Sequence, residues 1–391
     1  MNQGFHREHK EDKPVLAICY DFDKTLSPDD MQAQGYIQSV GYDTDTFWPK
    51  SNALARDNDM DQNLAYMYLM KEEAEGQLLF KKSTLNEYGS KVQLFPGVED
   101  WFSRIRQYGD EHGVIVEHYI ISSGLKEMIE GTVVASEFKK IYASSFYYNK
   151  KGVAVWPAQV INYTNKTQFL FRIEKGVLDI NDPAVNDSYA PEEIRVPFRN
   201  MVYIGDSDTD VPCMKLVNSF GGHSIGVYNS EKQDKAKVYK MMRENRIKYF
   251  AAADYSEGSE IDLLVKTIID RTETNEKLES LHYACKKENV QADRNQDESS
   301  KEKTDLMIAL ETSRSFASTH LTIAEMRKHL DWTIEERETL FKIALSNGQV
   351  KSILTDPDVR EFYRGLLKQM KASTVESEQV ECILKEHNTE A

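Results

Sequence analysis

Six consecutive apolar residues, Val15 to Tyr20 (VLAICY), run directly into Asp21-Phe22-Asp23-Lys24-Thr25. A strand that is apolar at every position has no face for water, so it belongs inside a sheet covered on both sides. Paired carboxylates at its end are costly to bury without a task. The carboxyl ends of strands are also where open α/β sheets bind ligands. The rest of the chain can be read outward from this junction.

Similar apolar runs occur at Val114–Ile121, interrupted by Glu117 and His118, and at Met201–Ile204, with shorter ones at Ser224–Tyr228 and Tyr249–Ala253. Helix-period stretches such as Val98–Tyr108 and Lys166–Lys175 separate them. This alternation predicts an α/β fold, a mostly parallel sheet with helices on both faces. Residues 30–95 break the rhythm: they are polar, aromatic-rich and helical in pattern, as in Asn63–Glu75, and end at Phe95-Pro96-Gly97. They read as a helical insertion after the first strand, leaving 1–29 and 96–285 as the core. Tyr142–Ile161 reads as a hairpin about Asn149-Lys150-Lys151-Gly152, and Pro183–Arg199 as a surface excursion. Ten of the eighteen residues in 286–303 are charged and none is aromatic, which predicts a linker. Beyond it, 304–391 is expected to be a separate all-helical domain with helices at Leu306–Phe316, Thr322–Leu330, Ile334–Leu345, Pro357–Met370 and Val375–Glu386. Thr333 and Asp356 stand at two of the expected starts, and Phe316, Trp332, Phe341 and Tyr363 are expected to form the core of this domain.

A length of 391 residues predicts two or three domains. The formal net charge of −15 argues against broad electrostatic affinity for nucleic acid or anionic membrane. Cys19, Cys213, Cys285 and Cys382 form no CxxC pair and no cluster with histidine, so reduced thiols are expected rather than a zinc site. The first residues are polar where a signal peptide would be apolar, and no window approaches the ~18 apolar residues of a membrane span. The expected location is cytoplasmic.

Three further elements join the acid pair. Ile120-Ile121-Ser122-Ser123-Gly124 places hydroxyls and backbone N–H groups at a strand end before a helix, a junction suited to phosphate oxygens. Lys166, preceded by Asn165, opens an amphipathic stretch, and Ile204-Gly205-Asp206-Ser207-Asp208-Thr209-Asp210 is again a strand running into acids. Singly, these are an ordinary acidic turn, a helix cap, a solvated lysine and a polar loop. In the order acid pair, serine, lysine, acid pair, they predict one site. Asp21, Asp23, Asp206 and Asp210 together would repel a phosphate dianion. Mg²⁺ and Lys166, with a proton kept on Asp23, would bring the site to neutrality. The expected chemistry has Asp21 attacking phosphorus, Asp23 serving as acid and then base, and Ser122, Ser123, Gly124 and Lys166 holding the phosphoryl group.

At these positions the chain resembles the haloacid dehalogenase superfamily: Asp21–Thr25 matches its first motif, Ser122 its second, Lys166 its third, and Gly205-Asp206 with Asp210 its fourth. The likeness spans roughly residues 14–270. It implies a Rossmann-like core and a cap at 30–95. It also implies an Mg²⁺ held by Asp21, Asp206 and the backbone carbonyl of Asp23, with Asp210 in the same metal-binding motif. The Ser122-Ser123-Gly124 segment and helical cap look nearest the phosphoserine-phosphatase-like branch, although Ser207 stands where such members often have glycine. Asp23 suits phosphatases and some phosphomutases, so the latter is the alternative activity, with a non-catalytic scaffold further off. The expected partner is a small-molecule phosphate ester, with the C-terminal domain open to a protein partner or self-association. Tyr36, Phe47, Trp48, Arg56, Tyr66 and Tyr68 in the cap are candidate substrate selectors, each also readable as a packing or surface residue. His112, His118 and His223 fall in no ligand spacing.

Overall fold

The computed structural model describes residues 4–232, 235–292, 298–370 and 372–386. The chain divides into two units, one comprising 1–180 and 195–276, the other 181–194 and 277–391.

The first unit is built on a seven-stranded sheet of β1 (Val15–Tyr20), β2 (Ile115–Leu125), β3 (Lys140–Tyr148), β4 (Ala154–Gln159), β5 (Met201–Gly205), β6 (His223–Tyr228) and β7 (Tyr249–Ala252). Their order is β4-β3-β2-β1-β5-β6-β7. All neighbours are parallel except β3 and β4, which form the expected hairpin. β1 lies at the centre and alternates into two cores. Leu16, Ile18 and Tyr20 face one, while Val15, Ala17 and Cys19 face the other. This two-sided burial is why its sequence is apolar at every position. Tyr20 pairs with Ile120 on one side and Ile204 on the other, so the residues that follow these three positions lie at one edge of the sheet.

β2 is longer than its apolar run suggests. It continues through Ser122, Ser123 and Gly124 to Leu125, with a register shift against β3 between Ile121 and Leu125. The serines are thus part of an irregular strand end rather than a helix cap.

The inserted segment carries helices Thr44–Asp57, Gln62–Glu73 and Lys82–Gly89, with shorter turns at Met31–Ala33 and Tyr36–Ser39. Its two roots meet: the N–H of Phe95 donates to the carbonyl of Leu26 at 2.9 Å. Tyr255, just past β7, holds both, donating its hydroxyl to Thr25 O and its backbone N–H to Pro96 O, each at 2.8 Å. Gly97 between them has φ of +75°, and a Cβ there would lie 2.3 Å from the Ser256 nitrogen, so only glycine permits this approach.

The stretch 286–303, expected as a charged linker, is helical where it is described. Residues 286–292 end the helix Glu260–Ala292, and 298–303 open the helix Glu298–Glu311; 293–297 lie outside the described residues. Lysine, glutamate and glutamine are good helix formers, so charge density here does not break the helix. The remaining helices are Phe316–Met326, Ile334–Ser346, Gly348–Ser352, Pro357–Lys368 and Val375–Glu386. The second of these begins with the capping box of Thr333 and Glu336. The helix expected at 322–330 begins earlier, capped by Ser315, which accepts from Ser318 N. Asp356 stands at the expected helix start as the N-cap residue before Pro357, its carboxylate making no cap bond and meeting His320 Nε2 at 3.2 Å. Trp332, Phe341 and Tyr363 are buried in this unit's core, whereas Phe316 is 58% exposed.

Candidate active site

Asp21 follows β1 without a break, its N–H donating to Ile204 O at 3.0 Å as a last rung to β5. Its Oδ1 accepts from the N–H of Phe22 at 2.8 Å, fixing the carboxylate at the strand end. Gly205 and Asp206 leave β5 beside it. A Cβ on Gly205 would lie 2.5 Å from Oδ2 of Asp210, so the glycine is what lets the Asp210 carboxylate tuck under the strand end. Asp21, Asp206 and Asp210 each offer a carboxylate oxygen within 4.8 Å of the others.

Lys166 reaches this cluster from the loop before the helix Thr167–Lys175. Polar side chains shape that loop: Asn165 Oδ1 accepts from Asn162 N, Asn162 Oδ1 accepts from Thr164 N, and Lys166 N donates to Asn162 O at 3.1 Å. The lysine is fully buried, with Nζ 2.7 Å from Asp210 Oδ1 and 3.2 Å from Asp21 Oδ2. Burial alone would lower its pKa, but Asp21 and Asp210 together raise it, so it stays charged.

Asp210 has both oxygens occupied. Oδ1 accepts from Lys166 and from the Tyr203 hydroxyl at 3.0 Å; Oδ2 accepts from the N–H of Ser207 at 3.1 Å and its hydroxyl at 2.9 Å. Tyr203 and Ser207 are functional neighbours that sequence reasoning missed. The available signal was a tyrosine two residues before Gly205 in an otherwise aliphatic strand. Asp206 Oδ2 receives Lys237 at 3.2 Å, another contact with no motif to announce it.

Asp23 stands apart from the three acids. Its Oδ1 accepts from the N–H of Met31 at 2.7 Å, and a Cβ on Gly124 would fall 2.8 Å from its Oδ2 and 3.4 Å from Ser122 Oγ. The Asp23 carboxylate thus faces the Ser122–Gly124 segment and lies outside the three-acid cluster, which leaves its backbone carbonyl as the group expected toward a metal. Ser122 Oγ accepts from Gly124 N at 3.1 Å, and Ser123 Oγ is buried with no partner among the described residues. Lys24, following Asp23, has φ of +58° and pairs with Asp30 at 2.8 Å. A lysine held in the left-handed region fits a turn set by function rather than by its own preference.

Of the six cap candidates, Tyr66 alone is seen to touch this neighbourhood: its hydroxyl donates to Ser123 O at 2.7 Å. Tyr36 and Phe47 are cap core, Trp48 packs against Phe47 and Tyr66, Tyr68 bonds Glu72, and Arg56 pairs with Asp57 at the surface. The cap is tied to the lysine loop by Asn162 Nδ2 donating to Asp61 Oδ2 at 2.8 Å and Asn63 Nδ2 donating to Ile161 O at 2.9 Å. None of His112, His118 and His223 belongs to the acid cluster.

The donor set fits a hard divalent cation such as Mg²⁺, being all carboxylate oxygen. Burial, then Asp210, pushes the Asp21 carboxyl up to about 7, and burial also raises that of Asp206. Desolvated acids pressed together are what a bound cation would relieve. Because Asp210 is saturated by protein donors, Asp21 and Asp206 are the carboxylates with capacity for it.

The family model for haloacid dehalogenase-like hydrolase matches residues 18–215. A chain from Borreliella burgdorferi described as an uncharacterized protein is 25% identical over 280 residues, covering 64% of this chain and 95% of that one. Among solved structures, an HAD family hydrolase from Salmonella enterica serovar Typhi is 18% identical at a TM-score of 0.44, covering 66% of this chain and 74% of that chain. A probable phosphoserine phosphatase from Vibrio cholerae is 12% identical at a TM-score of 0.45, covering 68% of this chain and 67% of that chain. Among the described residues, no helix is long and apolar enough to cross a membrane.

Proposed function

The chain belongs to the haloacid dehalogenase-like hydrolase family, and from that premise we propose that it is a phosphatase that carries the phosphoryl group of a small phosphate monoester on Asp21. The observation that carries this reading is the placement of Lys166, a fully buried cation 3.2 Å from Asp21 Oδ2 beside two further acids. A carboxylate nucleophile facing a buried cation is arranged for an incoming anion, not for packing.

In this reading an oxygen of Asp21 attacks phosphorus as the ester P–O bond breaks. The leaving oxygen takes a proton from Asp23. Burial, then Asp30 and Asp21, raise the Asp23 carboxyl well above the carboxylate range, as its role as acid needs. Asp23 then removes a proton from the water that attacks phosphorus, which releases inorganic phosphate and restores the Asp21 carboxylate. Lys166 balances charge on the transferring oxygens, while Ser122 and the backbone at Ser123 and Gly124 orient them. Mg²⁺, when bound by Asp21 and Asp206, supplies the remaining positive charge. Asp210 positions Lys166.

The test is phosphate release from a panel of phosphorylated metabolites, with and without Mg²⁺, for wild type and Asp21→Asn. Activity that requires the metal and disappears in the variant is expected, with acid-stable ³²P label trapped on wild type alone. Turnover in Asp21→Asn equal to wild type would falsify the covalent route. Isomerised sugar phosphate without free phosphate would replace hydrolysis with phosphomutase chemistry. Mg²⁺ should also raise the Tm of wild type but not of Asp206→Asn, a binding readout independent of substrate.

A further inference from the structure

The all-helical unit holds a second concentration of positive charge. A cavity of about 610 Å³ lies between the segment Arg327–Trp332 and the helix Pro357–Lys368, within the range of ~300–1,000 Å³ usual for small-molecule sites. Arg360, Arg364 and Lys368 line it at intervals of four and so form one row along the helix. Like charges at that spacing destabilise a helix unless something answers them. Among the described residues nothing acidic does. Arg364 Nη2 reaches only the Leu384 carbonyl at 3.5 Å, and no ion pair forms to Arg360 or Lys368. The one cation across the cavity with an acid partner is Arg327, paired with Glu361. In a chain with 64 acidic and 49 basic residues, three unanswered cations in one cavity run against composition.

The cavity wall is also aromatic. Trp332 and Phe362 are 4% and 6% exposed and meet edge to face with centroids 6.2 Å apart. The Trp332 indole N–H has no hydrogen-bond partner. Gly365 lies on the same wall, in the last turn of the helix. Nothing stands within 4 Å of where its Cβ would be, and its φ is not positive. Neither packing nor backbone conformation calls for glycine, a poor helix former. Its effect is to keep the wall beside Arg364 bare, so that a ligand can lie against the backbone.

We propose that this cavity binds a small polyphosphate, with the Arg360–Arg364–Lys368 row on the phosphates. Arginine forks match phosphate oxygens in pairs, and inorganic and nucleoside polyphosphates both present them. The site shares no residue with the acid cluster, and the proposal stands whether or not the phosphatase reading holds.

Hydrogen–deuterium exchange on the full chain tests it, in EDTA, with ATP, pyrophosphate and adenosine as probes. ATP should slow exchange several-fold in residues 327–332 and 357–369. Pyrophosphate acting as strongly as ATP would support the phosphate site and assign its ligand to free polyphosphates. Arg360→Gln/Arg364→Gln should lose the protection. So should Gly365→Leu, which keeps every charge, improves helix propensity and fills the cavity; both variants should retain wild-type circular dichroism. The proposal is overturned if neither ATP nor pyrophosphate protects these segments, if the double variant is protected like wild type, or if adenosine protects as well as ATP. Protection by a polyglutamate peptide alone would overturn it in favour of a protein ligand.

Discussion

Nζ of Lys166 lies 2.7 Å from Oδ1 of Asp210, and neither side chain has any surface in water. Tyr203 and Ser207 complete the shell of Asp210, so this acid is a fixture that aims the lysine at Asp21. Removing one partner of a buried pair leaves the other uncompensated, at a cost of about 3–5 kcal/mol. Asp210→Asn should therefore destabilise strongly in urea unfolding and also cut kcat by about 100-fold through a misplaced Lys166. In a double-mutant cycle with Lys166→Met, the two losses of stability should fall short of additive. Strict additivity would mean that the contact carries no coupling.

Gly124→Ala isolates the opposite side of the site. The new Cβ would meet Met31 Cε at 2.7 Å and Asp23 Oδ2 at 2.8 Å. Both are ends of side chains, so the fold should survive, with Tm lowered by a few degrees at most. Asp23, however, must move away from the Ser122–Gly124 segment. A fall in kcat of tenfold or more is expected, and unchanged steady-state kinetics would show that Asp23 needs no such placement.

Tyr66→Phe removes the hydroxyl bond from cap to Ser123 carbonyl and leaves the ring in place. The lost bond is worth about 1 kcal/mol. Turnover should suffer more than stability, because the carbonyl released belongs to the strand end that carries Ser122. Chemical denaturation and kcat/KM on one preparation would compare the two effects.

Glu117 and His118, neighbours on β2, point to opposite faces and make stability depend on acid. Burial would raise the Glu117 carboxyl, but hydrogen bonds and charge from Arg195, with help from Lys139 and Tyr119, hold it at about 2. His118 is pushed down to about 3 by burial and then by Arg106, while Nδ1 meets the Tyr20 hydroxyl at 3.0 Å. Each group binds protons less readily folded than unfolded. Its stabilisation is therefore present above the unfolded pKa and lost on acidification, from 6.5 toward 3 for His118 and from 4.5 toward 2 for Glu117. Asp21, with its carboxyl raised, acts with the opposite sign, so the variant comparison matters more than the wild-type curve. His118→Gln should change the slope of unfolding free energy between pH 6.5 and 4.5 by up to about 1.4 kcal/mol per pH unit. Coincident slopes would show that His118 does not titrate across unfolding.

The same two residues show what was and was not legible in the sequence. Glu117 and His118 look like blemishes in an apolar strand. Their partners, Arg195 and Tyr20, come from distant segments that no local pattern connects. The central strand and the order of the four motifs could be read because each is a local signal: continuous hydrophobicity, then acids or hydroxyls where the strand stops. Tyr203 and Lys237 could not be, because Tyr203 meets Asp210 only once the loop after β5 folds back on that strand and Lys237 reaches Asp206 from beyond β6; the Ser207 contact to Asp210 is local but carries no motif of its own. The continuation of β2 through Ser122 to Leu125 was hidden by polar residues that look like an ending. Charge in 286–303 marks a linker by composition but does not reveal that its described parts are helix ends.

Tyr255 fastens both roots of the inserted segment, one through Thr25 and the other through Pro96. The entry and exit of the insertion are thereby held side by side by a residue outside it, while its helices share one hydrophobic core with β1 and β2.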